Sequence, residues 1–180
     1  MQNEDEFIKE LLNPETQNTA FKKLIQEYQK PLYNIIRNIV INHDDTDDVL
    51  QNTFIKIFQN LKKFKGDSKL FSWMYRIAVN EAITFINNKA KRNGTTSEAI
   101  QTKIVENLPS DVYFEGDEIQ LKLQKAILLL PEKQQLVFKM KYFEELKYEK
   151  ISEILGTSVG ALKASYHHAV KKIEEYLKTN

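Results

Sequence analysis

Cysteine is absent from the 180 residues, which excludes disulfides and thiolate metal sites and suits a reducing compartment. Glycine occurs only five times and proline four, and so few helix breakers point to a mostly helical chain. No run approaches the ~18 consecutive apolar residues of a membrane span. The N-terminus, MQNEDEFIKE, is acidic and lacks the apolar stretch of a signal peptide. Neither a glycine-rich phosphate loop nor a nucleophile elbow occurs. The expectation is a soluble cytoplasmic protein that is not an enzyme, with no catalytic residue, no cofactor and no bound metal.

What is present has a globular balance, 42% hydrophobic and 28% charged. The net charge of +1 hides a segregation. Residues 1–60 carry six cations against ten acids. Residues 61–92 carry eight against two, residues 93–120 one against six, and residues 121–180 eleven against seven. Two basic blocks separated by an acidic spacer suggest two polyanion sites joined by a tether.

The first basic block, Leu61 to Arg92, holds the only Trp and sets Phe64, Phe71, Trp73 and Tyr75 among Lys62, Lys63, Lys65, Lys69, Arg76, Lys89, Lys91 and Arg92. Aromatics among cations can stack on unpaired bases while neutralising phosphates. The plainer reading makes the aromatics core and the lysines a solvated face.

Helical periodicity organises the rest. Residues 3–12 suit a short helix before Pro14. From Thr19, apolar residues recur at three and four up to Asn42-His43, with a bend or break expected at Pro31. Asp44, Asp45 and Thr46 suit the cap of the next helix, buried through Val49, Leu50, Phe54, Ile57, Phe58 and Leu61. Asp67 or Ser68 suits the cap of a further helix ending near Asn93-Gly94. Residues 94–116 show no sustained period and read as a linker. The domains are therefore expected at 1–93 and 117–180.

After residue 117 come an apolar helix ending at Pro131, a second helix, a short helix from Tyr148 to Leu155 closed by Gly156, and a last helix capped by Thr157 or Ser158. Short helix, glycine turn, capping hydroxyl and second helix make a helix-turn-helix, or else an ordinary helical hairpin. As a DNA reader it would present Lys163, Ser165, His167 and His168, with Lys171 and Lys172 near phosphate. His167 and His168 diverge by about 100° on the helix and make a poor metal pair. Asp44, Asp45, Asp47 and Asp48 fail as an EF-hand, since Val49 and Ile55 stand where Gly and Glu are needed. They serve as helix caps, as a docking face for a basic partner, or as Mg²⁺ ligands in a helical enzyme.

Three motifs in order resemble the bacterial sigma factors. Asp44 to Phe54 is similar to their core-polymerase-binding helix. Phe64-Lys65-Gly66-Asp67-Ser68 with Phe71 to Asn80 is similar to their promoter-melting segment. Leu130-Pro131-Glu132-Lys133 with the helix-turn-helix is similar to their fourth conserved region. The short linker resembles the extracytoplasmic-function (ECF) subfamily, and Gly160 to Ala169 resembles a variant of Bacteroidetes members.

The resemblance implies an all-α protein of two small helical domains on a flexible linker, which binds core RNA polymerase at the β′ clamp helices and the β flap and directs it to promoter DNA. Asp47, Asp48, Gln51 and Phe54 would dock on the polymerase. Phe64, Trp73, Tyr75, Arg76 and Asn80 would open the −10 element and hold a flipped base, with Lys56, Lys62, Lys65, Lys89 and Arg92 on phosphates. Lys163, Ser165, His167, His168 and Lys171 would meet the −35 element. Family members often carry Arg where this chain has Lys163, Ser165 and His168, and neutral His cannot make the bidentate contact of Arg to guanine. An anti-sigma factor is implied as inhibitor. The rival to this reading is a stand-alone helix-turn-helix repressor.

Overall fold

The computed structural model describes residues 4–66, 68–110 and 117–179, and among them regular structure is entirely helical. The α-helices are α1 (Glu4–Leu12), α2 (Gln17–Val40), α3 (His43–Asn60), α4 (Leu70–Arg92), α5 (Ser97–Asn107), α6 (Glu118–Leu128), α7 (Glu132–Tyr142), α8 (Tyr148–Leu155) and α9 (Val159–Thr179). Short 3₁₀ turns follow α3 at Leu61–Lys63 and α5 at Leu108–Ser110.

Several helices start where side chains satisfy their orphan N–H groups, though not always at the expected residue, while α2, α7 and α8 start without a side-chain cap. Asn42, in extended conformation, accepts the Asp45 N–H at 2.9 Å and starts α3 earlier than the aspartates. Of the two caps proposed for α4, Asp67 lies outside the described residues, and Ser68 gives way to a distant group. The Leu70 N–H donates to Glu4 Oε1 at 2.7 Å, so α1 caps α4 across the fold. Asp117 caps α6 by accepting from Gln120, and Ser158 caps α9 by accepting from Ala161. Gly156, at φ +64°, closes α8 in the left-handed conformation that glycine adopts without strain.

The expected break at Pro31 does not occur; α2 runs through it. Leu24 on one side and Leu32, Ile35 and Ile36 on the other are fully buried. Their burial outweighs one lost hydrogen bond, whose carbonyl, on exposed Glu27, can turn to water.

The linker is also more ordered than expected. Thr96 accepts from the Ala99 N–H at 3.2 Å and starts α5. Val105 and Leu108 then pack with Ile41 in a small core of their own, flanked by Ile104, Leu121 and Leu128. Gln101 donates to the Ile39 carbonyl at 3.1 Å, and Ser97 to Asn87 at 2.6 Å. The apolar face is real but short, and it is easily overlooked among Thr, Ser and Asn.

Helices α1 to α4 form one bundle and α6 to α9 another. Their apolar cores meet: Val137, Met140, Ile151, Ile154 and Leu162 belong to the same buried cluster as Leu32, Ile36, Met74 and Tyr75. The halves therefore share a seam.

Candidate nucleic-acid interface

Helix α3 turns Asp47, Asp48 and Gln51 to solvent along one side. Phe54 is not with them. At 9% exposure it belongs to the core, its ring 6.4 Å from that of Phe21 in an edge-on contact. The apolar residues that α3 does show are Ile55 and Phe58, the latter expected in the core. Phe21 takes the inner place and leaves Phe58 packed edge-on at the rim, 4.9 Å away between ring centres. Exposed apolar groups beside carboxylates make a face suited to protein docking.

On the opposite side of the first bundle, α3 and α4 frame an open groove of about 320 Å³ lined by Lys56, Asn60, Lys63, Trp73, Ile77, Asn80 and Glu81. Trp73 is half-buried and braced by Phe64, their rings 5.2 Å apart and tilted by 52°. Asn80 lies seven residues on, two helical turns, and is exposed. A flat ring, an amide edge and two ammonium groups thus converge on one cleft. Lys63 stood in the sequence only as one cation of the basic block, and Asn60 was not singled out; Lys63 reaches the groove from the 3₁₀ turn and Asn60 from the last residue of α3.

Other expected contacts fall differently. Lys62, Lys65 and Arg92 are exposed. Lys56 is paired with Glu81 at 2.5 Å, and Lys89 with Asp45; both lysines face acids across the α3–α4 contact. Tyr75 is 1% exposed, with its ring 5.2 Å from Phe71, so it is core rather than surface. Its position one residue beyond Met74, which is also buried, places both on the side of α4 that meets the seam.

Arg76 is exposed at that seam, where its guanidinium donates to the carbonyls of Ile154 (3.1 Å) and Glu153 (2.5 Å). It thereby meets the negative end of α8. Ser72 donates to the Glu153 carboxylate at 2.7 Å, and Lys150 lies over the Phe71 ring at 5.1 Å. The hydrogen bond from Ser72, with help from Lys150, holds the Glu153 carboxyl below its usual range. Further along, Asn38 donates to Glu144 at 2.6 Å. Burial pushes the Glu144 carboxyl up to about 7, against the pull of that hydrogen bond. The Tyr75 hydroxyl, without a hydrogen-bond partner among the described residues, is raised by burial and then by the nearby Glu144 charge.

In the second bundle, α8, the Gly156 turn and α9 form the helix-turn-helix. Lys163, His167, His168 and Lys171 are exposed on α9, and Ser165 is half-buried. Lys163 reaches over the Tyr148 ring at 5.8 Å. Among the described residues no cluster of three or more His, Cys, Asp or Glu could hold a metal ion. None of the helices is long and apolar enough to cross a membrane.

This geometry has counterparts. Residues 24–92 match the Sigma-70 region 2 family and residues 120–173 the Sigma-70, region 4 family. The ECF RNA polymerase sigma factor SigW of Bacillus subtilis is 30% identical over 168 residues, 88% of this chain and 89% of that protein. The chain belongs to the ECF sigma factors. It is a transcription initiation factor of that family. The ECF RNA polymerase sigma-E factor of Escherichia coli K12 is 27% identical over 86% of this sigma factor and 85% of its own length. The structure of CnrH in complex with the cytosolic domain of CnrY shares the fold with a TM-score of 0.69, at 18% identity over 99% of both chains. RpoE of Bartonella quintana, solved with the anti-sigma factor NepR, shares it at 0.64 and 19% identity, over 89% of this sigma factor and 98% of that chain.

Proposed function

We propose that this sigma factor binds core RNA polymerase through the Asp47, Asp48 and Gln51 face of α3, reaching the β′ clamp helices, with the second bundle on the β flap. It acts in the cytoplasm and opens promoter DNA without catalysing a reaction. The observation that carries this reading is the α3–α4 groove. A base drawn from the duplex stacks on Trp73, offers its edge to Asn80 and leaves its phosphates to Lys63, Lys62, Lys65 and Arg92. Lys56 and Lys89 join them by exchanging their carboxylate partners for phosphate, a trade between two charge-assisted contacts. Lys163, Ser165, His167, His168 and Lys171 meet the −35 element in the major groove. Neutral His lacks the fork of Arg, so −35 binding here does not rest on a bidentate contact to guanine.

An anti-sigma factor holds the protein inactive by occupying the faces that polymerase uses; the neighbouring structure of RpoE, solved with the anti-sigma factor NepR, supports this. The resemblance of Gly160 to Ala169 on α9 to a variant of Bacteroidetes members supports a place for the chain among them.

Run-off transcription tests the whole reading. Cognate core polymerase is given genomic promoter fragments with and without this protein. Discrete transcripts that require it support the proposal, and absence of binding to core polymerase overturns it in favour of a stand-alone repressor.

A further inference from the structure

We infer that the seam between the two bundles contains a binding site for a small organic carboxylate, anchored by Lys139. A cavity of about 190 Å³ lies where α2, α4, α5 and α7 meet. Ile39, Ile83, Ile86 and Leu136 supply apolar wall, and Lys139 lines the same space. Lys139 is 2% exposed, and among the described residues its ammonium makes no hydrogen bond or ion pair. A buried, unpaired cation is among the most costly groups a fold can hold. Exposed Glu98 and Glu132 also line the cavity, but neither pairs with it.

The chemistry selects the ligand. A metal ion would meet the ammonium and be repelled. A purely apolar guest would leave the charge as it is. A carboxylate neutralises it and can take a second donor from Asn87, which lines the cavity with its side-chain oxygen already occupied by Ser97. Apolar cavities of about 150 Å³ accept benzene, so this one suits a body of about six carbons. The walls come from both bundles and from α5, so an occupied cavity ties the halves together.

Methyl NMR on the full chain, labelled at isoleucine, tests this directly, because Ile39, Ile83 and Ile86 report on the cavity. The probes are hexanoate, norleucine and the neutral isostere hexanamide. The expected result is saturable shifts of those three methyls by a carboxylate at millimolar concentration. Hexanamide should bind about tenfold more weakly or worse, the scale of one charge-assisted hydrogen bond. Lys139→Met should erase that preference, with the same spectrum showing that the variant is folded. Tighter binding of norleucine supports the site with an amino acid as ligand, its ammonium met by Glu98 or Glu132. Tighter binding of hexanoate supports it with a simple fatty acid. No saturable shift with either carboxylate overturns the proposal, as does equal binding of hexanamide or an unchanged preference in Lys139→Met.

Discussion

Ser72 on α4 donates to the carboxylate of Glu153 on α8, 2.7 Å away and 81 residues along the chain. With Arg76 on the adjacent carbonyls, this contact fastens the helix-turn-helix onto the helix that carries Trp73 and Asn80.

Glu153→Gln with Arg76→Ala should therefore loosen the two bundles. Small-angle scattering checks this as a rise in the radius of gyration of the free protein. The pH dependence has a definite sign. The Glu153 carboxyl is depressed by Ser72, so its contribution is fully present above the ordinary carboxylate range and is lost as pH falls through the lower, folded value. An unchanged radius in the double variant would mean that the apolar contact alone holds the seam.

Glu144 acts in the opposite direction. Its folded value of about 7 lies above the ordinary 4.5, chiefly through burial. The stability it contributes is complete below about pH 4.5 and is lost as pH rises through 7. Glu144→Gln keeps a neutral partner for Asn38. It should flatten the pH dependence of thermal stability in that window, as read by calorimetry.

Lys139 is lowered from 10.5 to about 8 by burial alone. Charging it inside the seam costs about 3 kcal/mol for a shift of that size. The stability associated with it is complete above the unfolded value and is lost as pH falls through 8. Lys139→Met should raise the stability of the ligand-free protein at neutral pH and much less near pH 10. Chemical denaturation at the two pH values measures the difference.

Trp73→Ala should remove about 1–3 kcal/mol of base stacking and lower open-complex formation by roughly tenfold or more. Core polymerase binding should be unaffected, since α3 presents that face separately. Asn80→Ala should weaken base discrimination with less effect on stacking. Permanganate footprinting of melted promoter DNA distinguishes the two.

Much of this protein could be read along the chain. The helices other than α5, the Gly156 turn, the exposed Asp47-Asp48-Gln51 face and the aromatic-basic character of α4 all follow from local periodicity and composition, because each depends on residues a few positions apart. The helix-turn-helix was legible for the same reason. Phe58 and Phe54 were harder: both lie on the apolar side of α3, and which one reaches the rim depends on Phe21 from another helix.

What only the tertiary structure decided is pairing over distance. Glu4 caps α4 from 66 residues away. Lys89 is paired with Asp45 and reaches phosphate only by exchanging that partner. Tyr75 is buried under the seam while Trp73, two residues earlier, opens onto a groove. Lys139 reads in sequence as one more surface lysine, yet lies in the interior with no partner among the described residues. Periodicity fixes which side of a helix is apolar, but it does not say which neighbour covers that side. The energies of caps, ion pairs and buried charges are set by that neighbour.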